Sequence, residues 1–279
     1  MKTLFVSDLD GTLLNRDVVI SEYSIRAINS LIDQGMCFTL ATARSPWTVK
    51  KIVSGLNITY PTVLLNGVCV YDVSTERFIK INGFESNTFT RLLSVVHEYG
   101  LSGFLYMVKG NELIVLYENV TTPNALAFMK ERRERFGKEF LRAYPITEYD
   151  FGGMIPVYYT VSDKTKTLYP FYEEVCKIKG LHAEFYHDIY NKDLCFLELL
   201  SDKTSKSSAI DFIKDNYGFE RVVAFGDNLN DLSLFSSADY CLAVENAHEQ
   251  LKANADAVIK SNAEDGVALW LTEHYQDFI

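Results

Sequence analysis

Residues 3–14 read Thr-Leu-Phe-Val-Ser-Asp-Leu-Asp-Gly-Thr-Leu-Leu. Thr3 to Val6 is a short apolar run that stops at Ser7-Asp8, the pattern of a buried strand delivering a polar loop. In an open parallel sheet, ligands bind beyond the carboxyl ends of the strands, so Asp8 and Asp10 are expected to face a cleft. Two carboxylates two residues apart can divide roles when their environments differ. One stays ionised as nucleophile and metal ligand while the other moves protons. Read for structure alone, the same residues make a polar loop with an Asx turn and a glycine.

Working outward, the strand–loop pattern repeats. Ser21 is placed as an N-cap, Ile25, Ile28, Leu31 and Ile32 follow at helical spacing, and Gly35 stops the helix. Met36 to Ala41 is a second buried strand, Ser45-Pro46 opens another helix, and Thr62 to Leu65 is a third strand ending at Asn66-Gly67. This alternation predicts a parallel sheet covered by helices on both faces. From about Phe84 the grammar changes: the strand candidates Gly103 to Val108 and Leu113 to Tyr117 are joined by Lys109-Gly110-Asn111, a hairpin signal. Helices over Ser86 to Tyr99, Pro123 to Phe136 and Thr165 to Lys179 surround it. Parallel grammar is expected to return with Leu194 to Leu200, the helix Lys206 to Tyr217 and the strand Val222 to Phe225. The expected organisation is a doubly covered parallel sheet over 1–83 and 188–279, with an α+β lobe over 84–187 inserted in it.

Composition agrees with two lobes and narrows the partners. At 279 residues the chain exceeds the roughly 250 at which a single core stops growing. With 48% hydrophobic and 23% charged residues it can bury a large core. A net charge of −10 and a pI near 5.0 argue against a nucleic-acid partner. Most of that charge belongs to one lobe, since residues 84–187 carry a net −1 and the remainder −9. The five cysteines are scattered and form no CxxC pair, so neither a disulfide framework nor a structural zinc site is expected. The opening apolar run is too short for a signal-peptide core, and no uncharged stretch approaches the roughly 20 residues of a membrane span. A cytoplasmic protein with no obligate protein partner is the expectation.

Three further places carry chemistry. Gly226-Asp227-Asn228-Leu229-Asn230-Asp231 follows another buried run; Asp227 at its strand end and Asp8 at the first would make an oxygen-rich site suited to Mg2+ and repulsive without a cation. Asp231 is placed to brace it from the first helical turn. Thr42, at the end of Phe-Thr-Leu-Ala, offers a hydroxyl and nearby N–H groups to a phosphoryl oxygen. Lys206 opens a helix, where its charge opposes the dipole; an anionic partner would explain it, and so would plain solvation at the surface.

Together these motifs resemble the haloacid dehalogenase superfamily of aspartyl-nucleophile phosphotransferases, over nearly the whole chain. Asp8 to Leu14 matches its first motif, Thr42 its second, Lys206 its third and Gly226 to Asp231 its fourth. The insertion is similar to a type-IIB cap. With Leu64 to Asp72, Val244 to Ala247 and Ser261 to Val267, it points to the Cof-type phosphatases. The chain departs from the usual pattern at Ala43 and Ser207, where the family has glycine. The resemblance implies an α/β fold, a Rossmann-like parallel-sheet core with an inserted α+β cap domain.

For function, the resemblance implies a Mg2+-dependent phosphatase acting on a small phosphorylated molecule, with Asp8 as nucleophile and Asp10 as general acid and base. It implies a metal held by Asp8, Asp10 (through its main-chain carbonyl) and Asp227, and phosphoryl oxygens held by Thr42 and Lys206. Asp231 braces the site, Asn230 supports the phosphate, and Arg44 and Asn66 face the substrate. A sugar phosphomutase is the alternative within the same chemistry. A non-catalytic phospho-aspartate acceptor is the alternative outside it, against which the insertion and Asp10 speak.

Overall fold

A computed structural model describes residues 1–101, 103–187 and 193–279. Its contacts divide the chain into two compact units, one made of 1–80 and 205–279, the other of 81–204.

In the first unit, the strands Thr3–Ser7, Cys37–Leu40, Arg221–Gly226, Tyr240–Val244 and Ala257–Ile259 form a wholly parallel sheet. Across the sheet their order is 257–259, 240–244, 221–226, 3–7, 37–40. Thr3–Ser7 is buried at all five positions, as a strand covered on both faces must be. It lies between Cys37–Leu40, the next strand in sequence, and Arg221–Gly226, which the chain reaches only after the other unit. The order reverses at this strand, and a ligand crevice opens at the carboxyl ends of such a pair. The helices Glu22–Asp33 and Gly266–His274 pack on each other, as do Lys206–Tyr217 and Asp231–Ser236. Ser21 caps the first of these helices by accepting from Ser24 N at 3.0 Å.

One strand expected in the parallel sheet lies elsewhere. Thr62–Leu64 touches it through a single parallel bridge, Ala41 to Val63, and otherwise runs antiparallel to Cys69–Asp72 in a sheet completed by Arg77–Ile81. The cause is local: Asn66 and Gly67 have φ of +55° and +102°, which folds the chain straight back instead of into a crossover helix.

The second unit holds a six-stranded sheet in the order Leu181–His187, Leu194–Ser201, Ile155–Lys164, Phe104–Lys109, Glu112–Tyr117, Phe140–Arg142. All neighbours are antiparallel except the last pair. The hairpin at Gly110-Asn111 is present, with Lys109 opposite Glu112. The helices Ser86–Tyr99 and Thr165–Val175 cover one face, packing Leu92, Val96, Leu168 and Phe171 against Leu105, Val161, Leu197 and Leu199.

Leu194–Ser201 corrects the sequence reading. It was expected to restart the parallel core and instead pairs antiparallel with both of its neighbours in this second sheet. Its run of apolar residues hides a period of two, with Cys195, Leu197 and Leu199 fully buried and Phe196 and Glu198 only partly so. That alternation belongs to a sheet with one covered face. The expected boundary at residue 188 lies outside the described residues. No helix among the described residues is long and apolar enough to cross a membrane.

Candidate active site

The site grows from the end of the strand Thr3–Ser7. Asp8 N donates to Phe225 O at 3.0 Å, carrying the sheet ladder up to the nucleophile candidate. The chain then turns tightly through 9–13, with Gly11 at φ +78°. A Cβ on Gly11 would sit 2.2 Å from Asp227 Oδ2, so only glycine lets the turn lie against that carboxylate. Thr12 Oγ1 donates to Asp227 Oδ1 at 3.0 Å. From behind, Asn246 Nδ2 donates to Gly11 O at 2.8 Å. Asn246 Oδ1 accepts from Asn262 N at 3.0 Å, and Asn262 Nδ2 donates to Leu14 O at 2.7 Å.

Asp227 follows the strand Arg221–Gly226, and Asp231 opens the next helix. Asp231 Oδ2 accepts from the N–H groups of Asp227 and Asn228 at 3.0 and 3.1 Å. Its Oδ1 accepts from Lys206 Nζ at 2.7 Å, and the same ammonium donates to Asp8 Oδ1 at 2.6 Å. Lys206 and Asp231 are both buried, at 1% and 0% exposure. Lys206 stands at the first position of a helix whose N-cap, Ser205, makes a full capping box with Ser208. The lysine tolerates the unfavourable end of the dipole because two carboxylates meet its charge.

Charge explains the rest. One oxygen from each of Asp8, Asp227 and Asp231 lies within 4.8 Å of the others. Burial, and then the Asp231 carboxylate, pushes the Asp227 carboxyl up to about 6. Burial also raises Asp8 well above the usual carboxylate range, against the pull of Lys206. For Lys206 burial works to lower the pKa, but Asp231 and Asp8 outweigh it and keep the ammonium protonated. Three carboxylates thus share one buried cation, a deficit of positive charge that a hard divalent ion would relieve. Asp231 already engages both of its oxygens, so Asp8 and Asp227 are the side chains able to hold one. Buried carboxylate oxygens at this spacing fit Mg2+.

The second group of expected residues surrounds this centre. Thr42 N donates to Val63 O at 2.9 Å and Asn66 N to Thr42 O at 3.1 Å, tying the loop after Cys37–Leu40 to the turn at 65–67. Thr42 Oγ1 accepts from Arg44 N at 3.2 Å, which leaves the hydroxyl proton for another acceptor. Leu65 and Asn66 both hold left-handed φ values, +50° and +55°, a strained conformation for leucine that local packing must enforce. Asn230 Nδ2 donates to Asn66 Oδ1 at 3.4 Å. Arg44 is turned toward Asp10: its Nε and Nη2 donate to Asp10 Oδ2 and Oδ1, each at 2.6 Å. Thr12, Asn246 and Asn262 all lie inside stretches that carry the family resemblance, but the sequence assigns none of them a place in the site.

A strand-end aspartate at the reversal of a parallel sheet, a second strand-end acid and a buried lysine between them define a doubly wound α/β core with an acidic site at its switch point. The chain belongs to the haloacid dehalogenase-like hydrolases, whose family model matches residues 5–271. Among its relatives is the 5-amino-6-(5-phospho-D-ribitylamino)uracil phosphatase YwtE of Bacillus subtilis, 29% identical over 95% of this chain and 96% of that protein. The crystal structure of TM0651 from Thermotoga maritima superposes with a TM-score of 0.80 at 22% identity, over 98% of this chain and 97% of that one. The HAD subclass IIB sugar phosphatase BT4131 superposes at 0.70 with 18% identity, over 99% of both chains. The chain therefore shares the fold of these two structures, and its second unit is the segment expected from the sequence as the inserted α+β lobe. The phosphoric monoester hydrolase class expected from the motifs is the class its named relatives carry.

Proposed function

We propose that the chain is a Mg2+-dependent phosphatase that hydrolyses small organic phosphate monoesters through an aspartyl-phosphate on Asp8. The observation that carries the reading is the set of Asp8, half-buried Asp227 and Asp231 around the buried Lys206 at the end of the central strands. Held by Asp8, Asp227 and the main-chain carbonyl of Asp10, Mg2+ would neutralise phosphate charge and orient the group for in-line attack.

The chain's own groups account for the remaining steps. An Asp8 carboxylate oxygen attacks phosphorus, the bond to the leaving oxygen breaks, and Asp10 gives that oxygen a proton. Water then attacks the phosphorus of the aspartyl-phosphate and gives its proton to Asp10. The aspartyl P–O bond breaks, inorganic phosphate leaves and Asp8 is a carboxylate again. Lys206 and the Thr42 hydroxyl hold phosphoryl oxygens as charge spreads over them. Asp231 keeps Lys206 in place, and Asn230 and Asn66 support the phosphate from the neighbouring turn.

A relative that acts on a phosphorylated ribitylaminouracil makes sugar-phosphate-like molecules and phosphorylated cofactors or their precursors the substrates to try first, in a cytoplasmic setting. Phosphate release from a panel of such metabolites tests the reading. Wild-type turnover with Mg2+, abolished in Asp8→Asn with the fold intact, is the expected result. Turnover above a few per cent in Asp8→Asn removes the nucleophile assignment, and isomer interconversion without phosphate release favours a mutase.

A further inference from the structure

Arg44 was expected to face the substrate, yet its guanidinium is fully oriented toward another protein side chain. Nε and Nη2 meet the two oxygens of Asp10 at 2.6 Å each, a bidentate fork. The Arg44 side chain is 18% exposed and that of Asp10 is 51% exposed, so the better-buried partner holds the freer one. Arg44 is itself anchored through its backbone. Its N–H donates to Thr42 Oγ1 at 3.2 Å, and its carbonyl accepts from Leu65 N at 3.1 Å.

Asp10 needs such a hold. It sits in the turn after the strand Thr3–Ser7, with non-helical φ and ψ of −74° and 120°. A half-exposed aspartate there would sample several rotamers. A group that hands a proton to a leaving oxygen and later takes one from water must stay within hydrogen-bond reach of both. A guanidinium fork fixes the plane of a carboxylate as a lysine cannot, because its two parallel N–H groups match the two oxygens. Each oxygen keeps a further lone-pair direction for the reaction.

We propose that Arg44 is a positioning residue for Asp10, acting on turnover through that carboxylate and making no contact with substrate. The proposal rests on the phosphatase reading above. It predicts coupling: the loss on removing Arg44 disappears once Asp10 can no longer transfer protons.

The test compares Arg44→Ala and Arg44→Lys in the wild-type and Asp10→Asn backgrounds, with Mg2+ and an alkyl phosphate ester. Thermal melts check that each variant folds, and Arg44→Lys keeps the charge and stem if the alanine variant does not. In the wild-type background both variants should lower kcat at least tenfold with KM within twofold, against the ~100-fold or more that general acid–base catalysis supplies. In the Asp10→Asn background each should change kcat less than twofold. Equal losses in the two backgrounds, or a rise in KM at constant kcat, overturn the proposal while the phosphatase reading stands. A wild-type chain that releases no phosphate from any ester overturns the reading, and the proposal with it.

Discussion

Lys206 Nζ lies 2.6 Å from Asp8 Oδ1, and both side chains are almost fully withdrawn from solvent. The contact joins two residues 198 positions apart, one at the end of a strand and the other at the start of a helix. With Asp231 on its other side, Lys206 is the cation that permits two buried carboxylates to share one place.

Replacing Lys206 therefore tests structure and chemistry together. In Lys206→Met, Asp8 and Asp231 face each other without their cation, and losing one partner of a buried pair costs about 3–5 kcal/mol. The expected outcome is loss of turnover with a clear fall in melting temperature in metal-free buffer, partly recovered by adding Mg2+. An unchanged metal-free melting temperature would contradict the balance of charge described here.

The acidic centre also predicts how pH and metal are linked. The Asp227 carboxyl is pushed up to about 6 by burial and by Asp231, so in metal-free protein the folded state binds this proton more tightly than the unfolded chain. Metal-free stability should then fall as pH rises from about 4 to 6, by up to roughly 3 kcal/mol from this group. Mg2+ competes with the same proton, so its affinity should strengthen by about tenfold per unit over that window, and by more where the raised Asp8 carboxyl also gives up its proton. Calorimetric titration with Mg2+ at pH 5, 6 and 7 measures this directly. An affinity that does not change across the three would show that Asp227 is not a ligand.

Gly11 carries the steric side of the site. At φ +78°, with Asp227 Oδ2 only 2.2 Å from where a Cβ would stand, Gly11→Ala must displace either the turn or the Asp227 carboxylate. The variant should lose most turnover and bind Mg2+ more weakly while its second unit stays folded. Asn246→Ala, which removes the hydrogen bond to Gly11 O, should do the same more mildly, by about tenfold in turnover. If Gly11→Ala has wild-type activity, the close approach of turn and carboxylate is not needed for function.

Much of this centre was legible in the sequence because its residues stand at ends of elements. Asp8 follows a continuous apolar run and Asp227 follows another, so period and punctuation place both at strand ends, whereas Lys206 stands where a helix begins and only the family resemblance tied it to the same centre. The fork between Arg44 and Asp10 was not legible: two loops, each ending its own strand, meet only when those strands pair, with Ser7 opposite Leu40. The contacts of Asn246 and Asn262 were hidden for the same reason, although both stretches were marked, since their partners Gly11 and Leu14 are more than 200 positions away. The strand Leu194–Ser201 was misplaced because Phe196 and Leu200 on its second face are as apolar as the residues on its first. Hydropathy could not separate a strand covered on both faces from one covered on a single face, and the pairing partner settled it.

The second unit offers a prediction independent of catalysis. Lys138 is 4% exposed, its Nζ donates to Tyr106 Oη at 2.6 Å and stands 4.1 Å from the centre of that ring. Burial, with help from Arg132, pulls its pKa down to about 7, against the pull of Glu131. The faces of Tyr106, Phe140 and Phe128 also favour the charged form, but too weakly to offset the loss of hydration. In the unfolded chain the same amine titrates near 10.5. Between pH 7 and that value the unfolded state binds the proton and the folded state does not, so stability contributed at this position rises with pH. Lys138→Met removes the effect while keeping an apolar stem of similar length. Its stability relative to wild type should therefore be more favourable at pH 6 than at pH 9, by roughly 2–3 kcal/mol. Chemical denaturation of both proteins at the two pH values measures the difference. A gap that is the same at both would mean that Lys138 stays charged in the folded protein.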